Sequence, residues 1–132
     1  MATKANLMGM GVGPILARRQ ATDPQTITAQ GGSLASAQQI GGDNYFVSVI
    51  ASNSGAGLQL PGVGGDNGAL LGDDYIINNQ LTASITIFGP TGSTISVSGN
   101  NISGSAGFGL STHKSVTLWP ITSSSWLGIV SA

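Results

Sequence analysis

GDDYIINNQLTASITIFGPTGSTISVS, residues 72–98, decides the fold class. Tyr75-Ile76-Ile77 is a compact apolar run entered through Gly72-Asp73-Asp74. Ile85 and Ile87 alternate with Ser84, Thr86 and Phe88, and Ile95 and Val97 alternate with Thr94, Ser96 and Ser98. Residues two apart on an extended chain share a face, so each segment offers one aliphatic side. Gly89-Pro90-Thr91-Gly92 separates the second segment from the third; proline presets φ for a turn there and glycine accepts a positive one. The stretch predicts three consecutive strands, a meander with an oily face and a hydroxyl-rich face.

Upstream, Tyr45-Phe46-Val47-Ser48-Val49-Ile50 is aromatic and β-branched throughout and predicts a strand, and Leu58-Gln59-Leu60 predicts a short one stopped by Pro61. Residues 34–40, bounded by glycine pairs, read as a further strand. Downstream, residues 99–107 read as a polar loop and Phe108-Gly109-Leu110 as the start of a strand. Residues 114–119 predict a strand with Val116 and Leu118 inward and Pro120 at its end, and residues 126–130 predict a terminal strand. Short strands separated by turn signals make residues 31–132 an all-β domain, expected to be a single β-sandwich of jelly-roll-like form. Its expected core is Phe46, Val49, Ile76, Ile85, Ile87, Ile95, Val97, Val116, Leu118 and Ile129. No fixed period recurs, which argues against a propeller or a solenoid. Residues 1–30 read as an extended N-terminal arm, because Gly9, Gly11, Gly13 and Pro14 interrupt any long regular element.

Charge is scarce. The 132 residues include four Lys and Arg and five Asp, 7% of the chain, and the net charge is −1; soluble domains carry about 25%. There is no basic footprint for nucleic acid and no polybasic patch for a membrane. No apolar run approaches the roughly 18 residues of a membrane-spanning helix. Lys4 and the following LMGMGVGPILA match a secretory signal poorly, since glycines and Pro14 break the run and Arg18-Arg19 stand where a small-residue cleavage site belongs. Cysteine is absent, so disulfides and thiolate metal sites are excluded. A free monomer with so little charge repels its neighbours weakly, which favours a life inside an assembly.

The candidate chemical sites are thin. His113 is the sole histidine and has neither a second histidine nor a cysteine to complete a conventional zinc or copper site. Asp73 and Asp74 are adjacent, so on a strand they point to opposite faces and cannot share a proton; either can cap the turn into the strand. A calcium site would need Asp66, Asn67, Asp73 and Asp74 to converge, and the EF-hand pattern is missing. GMGVGP at 9–14 has Pro14 where a dinucleotide loop needs its third glycine, and GVGGDNG at 62–68 lacks the Lys-Ser/Thr of a phosphate loop. No GxSxG elbow occurs, so no serine has a motif to activate it. Asn101-Ile102-Ser103 matches the glycosylation sequon, which counts only in a secreted protein. Trp119 and Trp126 read as core or interface anchors, with sugar stacking as the functional alternative. No nucleophile, base and oxyanion donor occur together, so no enzymatic activity and no cofactor are expected.

The order of the pieces carries a resemblance. NLMGMGVGPILA from Asn6, Asp23-Pro24-Gln25-Thr26, VIASNSGAGLQLP, GDDYIINN, ITIFGPTGSTI and the closing SSSWLGIVSA together resemble a group of small Gly/Ser-rich proteins encoded among the structural genes of tailed bacteriophages. The resemblance runs from about Asn6 to Ala132. It implies a virion component made in the host cytoplasm, a capsid decoration or cement protein on the outer surface of the head. Such a protein binds the major capsid protein and is often a homotrimer. The alternative it leaves open is a fibre or spike head domain, on head or tail, that binds host surface glycans. In the arm, Leu7, Met8, Met10, Val12, Ile15 and Leu16 would be the anchors on capsid or sister subunit, and Arg18 and Arg19 could pair with capsid carboxylates.

Overall fold

The computed structural model describes residues 25–65 and 68–132, and every regular element among them is a strand. In chain order these are β1 (Gln25–Gln30), β2 (Gln38–Gln39), β3 (Phe46–Asn53), β4 (Gly57–Gln59), β5 (Tyr75–Asn79), β6 (Ile85–Phe88), β7 (Thr94–Val97), β8 (Asn100–Ser103), β9 (Phe108–Leu110), β10 (Ser115–Thr122) and β11 (Ser125–Val130). They form a seven-stranded sheet in the order β1-β3-β5-β10-β11-β7-β8 and a four-stranded sheet in the order β2-β4-β6-β9. The all-β class is the one the alternation predicts.

The connectivity differs from the expected one. Five of the nine pairings are parallel, whereas a jelly roll is antiparallel. From β1 to β6 the chain alternates between the two sheets, and each new strand lies parallel beside the one laid down two strands earlier. These are three turns of a coil, which the lack of a sequence period argued against. The turns start at Gln25, Phe46 and Tyr75, and their unequal lengths hide the repeat. The central stretch is therefore no meander: β5 and β7 belong to the large sheet, β6 to the small one, and none of the three pairs with another. Period-two patterning fixes which face of a strand is buried and leaves its neighbours open.

The last two strands complete the large sheet from within. β10 and β11 form an antiparallel hairpin that enters between β5 and β7, antiparallel to β5 through β10 and parallel to β7 through β11. Pro120 lies inside β10 rather than ending it. Its carbonyl accepts from Gly72 N at 2.9 Å, past Leu118–Tyr75, the last β10–β5 pair. The proline nitrogen faces that same margin, where no N–H is needed. β7 and β8 join through Ser98 (φ 53°) and Gly99 (φ 81°), the two left-handed residues of a type I′ turn. Residues 100–103, expected as loop, thereby become an edge strand.

One apolar cluster draws on both sheets, with Val47, Val49, Tyr75, Ile77, Ile95, Val97, Val116, Leu118 and Trp126 from the large one and Leu58, Ile85, Ile87 and Leu110 from the small one. Seven of the ten expected core residues are in it; Phe46, Ile76 and Ile129 are not. All three lie on one row, since Phe46 pairs with Ile76, Ile76 with Thr117, and Thr117 with Ile129. Each is the wrong phase of a run whose neighbours are also apolar. Val47, Ile77 and Trp126 take the inward places, and one step along a strand reverses the face. Residues 34–40 are mostly turn, with two of them in β2. Gln25–Gln30, assigned to the arm by sequence, is β1, with Ala29 fully buried.

Gly128 shows how tightly the hairpin is seated. A Cβ there would stand 2.8 Å from Leu118 Cδ2 and 2.9 Å from Val97 Cγ2, its partners on either side. Gly128→Ala is expected to destabilise the protein by about 1–3 kcal/mol through overpacking. A urea denaturation curve with a lower midpoint and an unchanged slope is the expected observation, and an unchanged midpoint would contradict the packing described.

Candidate interaction surface

Three kinds of polar or aromatic feature stand out, and they do different things. The first is buried. Tyr75 at the start of β5 packs against Tyr45 with the rings tilted at 42° and 5.2 Å apart, and meets Trp126 edge-on at 5.6 Å. Its hydroxyl donates to Gly42 O at 2.7 Å, with Asp73 Oδ2 farther off at 3.4 Å. Asp73 Oδ2 accepts from Leu70 N at 2.8 Å and from the Tyr45 hydroxyl at 3.4 Å, and Asp73 N donates back to Leu70 O at 3.0 Å. The carboxylate thus closes the turn into β5, as the turn-capping reading expects. Burial, and then the neighbouring Asp73 charge, push the Tyr75 phenol well above the ordinary tyrosine range. A neutral phenol locked on a carbonyl is a structural fastener, not an acid–base group at neutral pH.

Asn79 at the other end of β5 is also fully buried. Its amide donates to Ala83 O at 2.9 Å, Ser111 O at 3.1 Å and Leu110 O at 3.3 Å, and its Oδ1 accepts from Leu81 N at 3.0 Å. It ties the loop after β5 to the end of β9, across the two sheets. Sequence offered no sign of this role, because nothing local marks which Asn of the pair Asn78-Asn79 turns inward.

The second feature is the tryptophan pair. Trp126 is completely buried, and its indole N–H finds no acceptor among the described residues. It is a core anchor, and the alternative of a sugar-stacking face at this position is withdrawn, since stacking needs an open ring. Trp119 is half-buried on the outer side of the large sheet, and its Nε1 donates to Asp74 Oδ1. Asp73 and Asp74 accordingly diverge, one into the core margin and one toward the outer face. Asp66 and Asn67, the other two residues of the calcium reading, lie outside the described residues, as do Leu7, Met8, Met10, Val12, Ile15, Leu16, Arg18 and Arg19. His113 is exposed in the turn before β10, at a positive φ of 57°.

The third feature is the outer face of the large sheet. Phe46, Ile76, Thr117 and Ile129 form a row across β3, β5, β10 and β11, and Trp119 and Leu127 pair in the adjacent row, which continues to Ser96 and Asn101. Phe46 is 47% exposed, Leu127 42% and Ile129 63%. Leu71 and Ile121 are exposed as well, where the loop before β5 meets the end of β10. None of the eleven strands contains a charged residue, so their part of this face is apolar and neutral polar, and the charge that reaches it is the Asp74 carboxylate bonded to Trp119.

Compared with protein-family models, with curated proteins and with solved structures, the chain matches none.

The Tyr75 fastener has a pH signature. Because folding raises its pKa, the stability it carries is complete below about pH 10, the unfolded value, and is lost as pH rises above it. Tyr75→Phe is expected to cost about 1–2 kcal/mol at neutral pH by leaving the Gly42 carbonyl unpaired. The gap between wild type and variant should narrow by up to about 1.4 kcal/mol per pH unit above that point. A gap that stays constant in denaturant titrations at alkaline pH contradicts the assignment.

Proposed function

We propose that this chain is a non-enzymatic structural protein of a tailed-phage particle, a decoration or cement protein bound to the major capsid protein on the outer surface of the head. The observation that carries the reading is the partly apolar outer face of the seven-stranded sheet, whose strands carry no charge. A protein whose strands are all neutral and which exposes Phe46, Leu127 and Ile129 on one face of a sheet is built to be covered there. The polar groups that do come together, Tyr45, Asp73 and Tyr75, are engaged in closing a turn, and such a group has no free base or nucleophile to offer. Two sheets sharing one core support a sandwich-like body, and a rigid body of this kind suits a clamp. The homotrimer and the role of the arm rest on the phage resemblance.

A second reading keeps one observation of its own. Trp119 is partly open and is oriented by Asp74, an arrangement that also serves sugar stacking in a host-binding fibre or spike head.

Mixing the purified protein with undecorated capsids tests the first reading. Binding and a raised temperature of capsid disruption are expected, and both should weaken when residues 1–20 are deleted. Capsids that bind no intact protein end the cement proposal. A glycan array with a hit that Trp119→Ala abolishes would then establish the adhesin reading in its place.

A further inference from the structure

We infer that the outer face of the seven-stranded sheet, centred on Phe46, Ile76, Trp119, Leu127 and Ile129, is buried against another copy of this same chain. Three observations point there together. First, the inner side of the sheet packs on the core while Phe46, Leu127 and Ile129 stand exposed on the outer one, apolar groups on a face that marks an interaction site. Second, no strand of the sheet carries a charge, and the carboxylate that reaches this face, Asp74, is held by the indole N–H of Trp119. A face that meets its own copy about a two-fold axis sets the groups on that axis against themselves, where like charges would repel. Ser48, Asn78, Thr117, Ser96 and Asn101 instead offer hydroxyls and amides that both donate and accept, and these are compatible with themselves.

The third observation is the edges. β1 and β8 end the sheet, and neither QTITAQ nor NNIS contains a lysine, a proline or any charge. Solvent-facing edges are ordinarily blunted by such residues, because open N–H and C=O rows recruit other strands. Edges left plain beside a partly apolar face fit a sheet surrounded by its own kind. The size is sufficient too. Seven strands spaced about 4.8 Å apart, with roughly five residues each at about 3.3 Å, project about 500 Å². Side chains standing off that plane bring the accessible area toward the ~800 Å² per partner of a stable interface.

This self-association rests on the assembly role proposed above for its setting, yet it is measured without capsids, so the two can fail separately. Analytical ultracentrifugation of the full chain at micromolar concentration is the test. Wild type should sediment as an oligomer, and Leu127→Lys with Ile129→Lys should sediment as a monomer. Thr117→Lys, a polar position in the same row, should do likewise, while Ala35→Lys, in the exposed turn by which the chain passes from β1 to β2 of the small sheet, should remain oligomeric. Circular dichroism and the fluorescence of buried Trp126 identify variants that fold. The absence of native cysteine permits a further check in the otherwise intact protein. The thiol of Ile129→Cys should resist a maleimide in concentrated solution and react on dilution. A wild-type monomer overturns the inference, as do an oligomer that all three lysine substitutions leave intact and a thiol equally reactive at every concentration.

Discussion

The large sheet depends on a late insertion. β5 and β7 point the same way in one sheet but do not touch; the hairpin β10–β11 stands between them. Its inward residues are Val116, Leu118, Trp126 and Gly128, and the first three fill the centre of the core. Trp126 meets Tyr75 of β5 by its edge and lies beside Ile95 of β7, so one side chain touches both halves that the hairpin joins. Gly128 leaves the space that Leu118 and Val97 occupy. Without the hairpin the sheet divides into β1-β3-β5 and β7-β8, and each part would expose the apolar side the other now helps to cover. An isolated two-stranded hairpin such as β7–β8 is marginal in water. The last fourteen residues of strand structure therefore complete the core rather than decorate it. Folding that needs them must bring together segments far apart in the chain, a costly closure before any of its contacts is gained.

Water solubility is arranged differently from the usual charged surface. All the charged residues among the described ones, Asp43, Asp73, Asp74 and Lys114, lie in loops or turns. The strands present Ser, Thr, Asn and Gln where they face outward, interrupted by Phe46, Ile50, Ile121, Leu127 and Ile129. Hydroxyls and amides hydrate well enough to keep a chain in solution, but they do not hold copies apart. The proposed structural role and the proposed contact between copies both follow from this one property of the surface.

Much of this was legible in advance. Alternation located the strands at Tyr45–Ile50, 75–77, 85–88, 94–97, 114–119 and 126–130, and the turn signals between them pointed to an all-β domain. What alternation does not encode is adjacency. Ile85 and Ile95 carry the same signal, yet they enter different sheets. Phase was lost where apolar residues run consecutively, as at Phe46-Val47 and Ile76-Ile77, because either residue could face inward until neighbours decide. Trp119 and Trp126 were indistinguishable as sequence; only the pairing of Trp126 with Ile95, against the open position of Trp119, separates anchor from surface. β8 was missed for want of apolar residues, although Ser98-Gly99 after Val97 is the two-residue turn signal that announces it.

Native-state hydrogen exchange tests the dependence on the hairpin most directly. The amides of Trp126, Leu127 and Gly128 should open only with those of Val47, Val49 and Ile77, in one cooperative event whose free energy equals that of global unfolding. Exchange of the β11 amides through a separate opening of lower free energy, with β3 and β5 still protected, would contradict it.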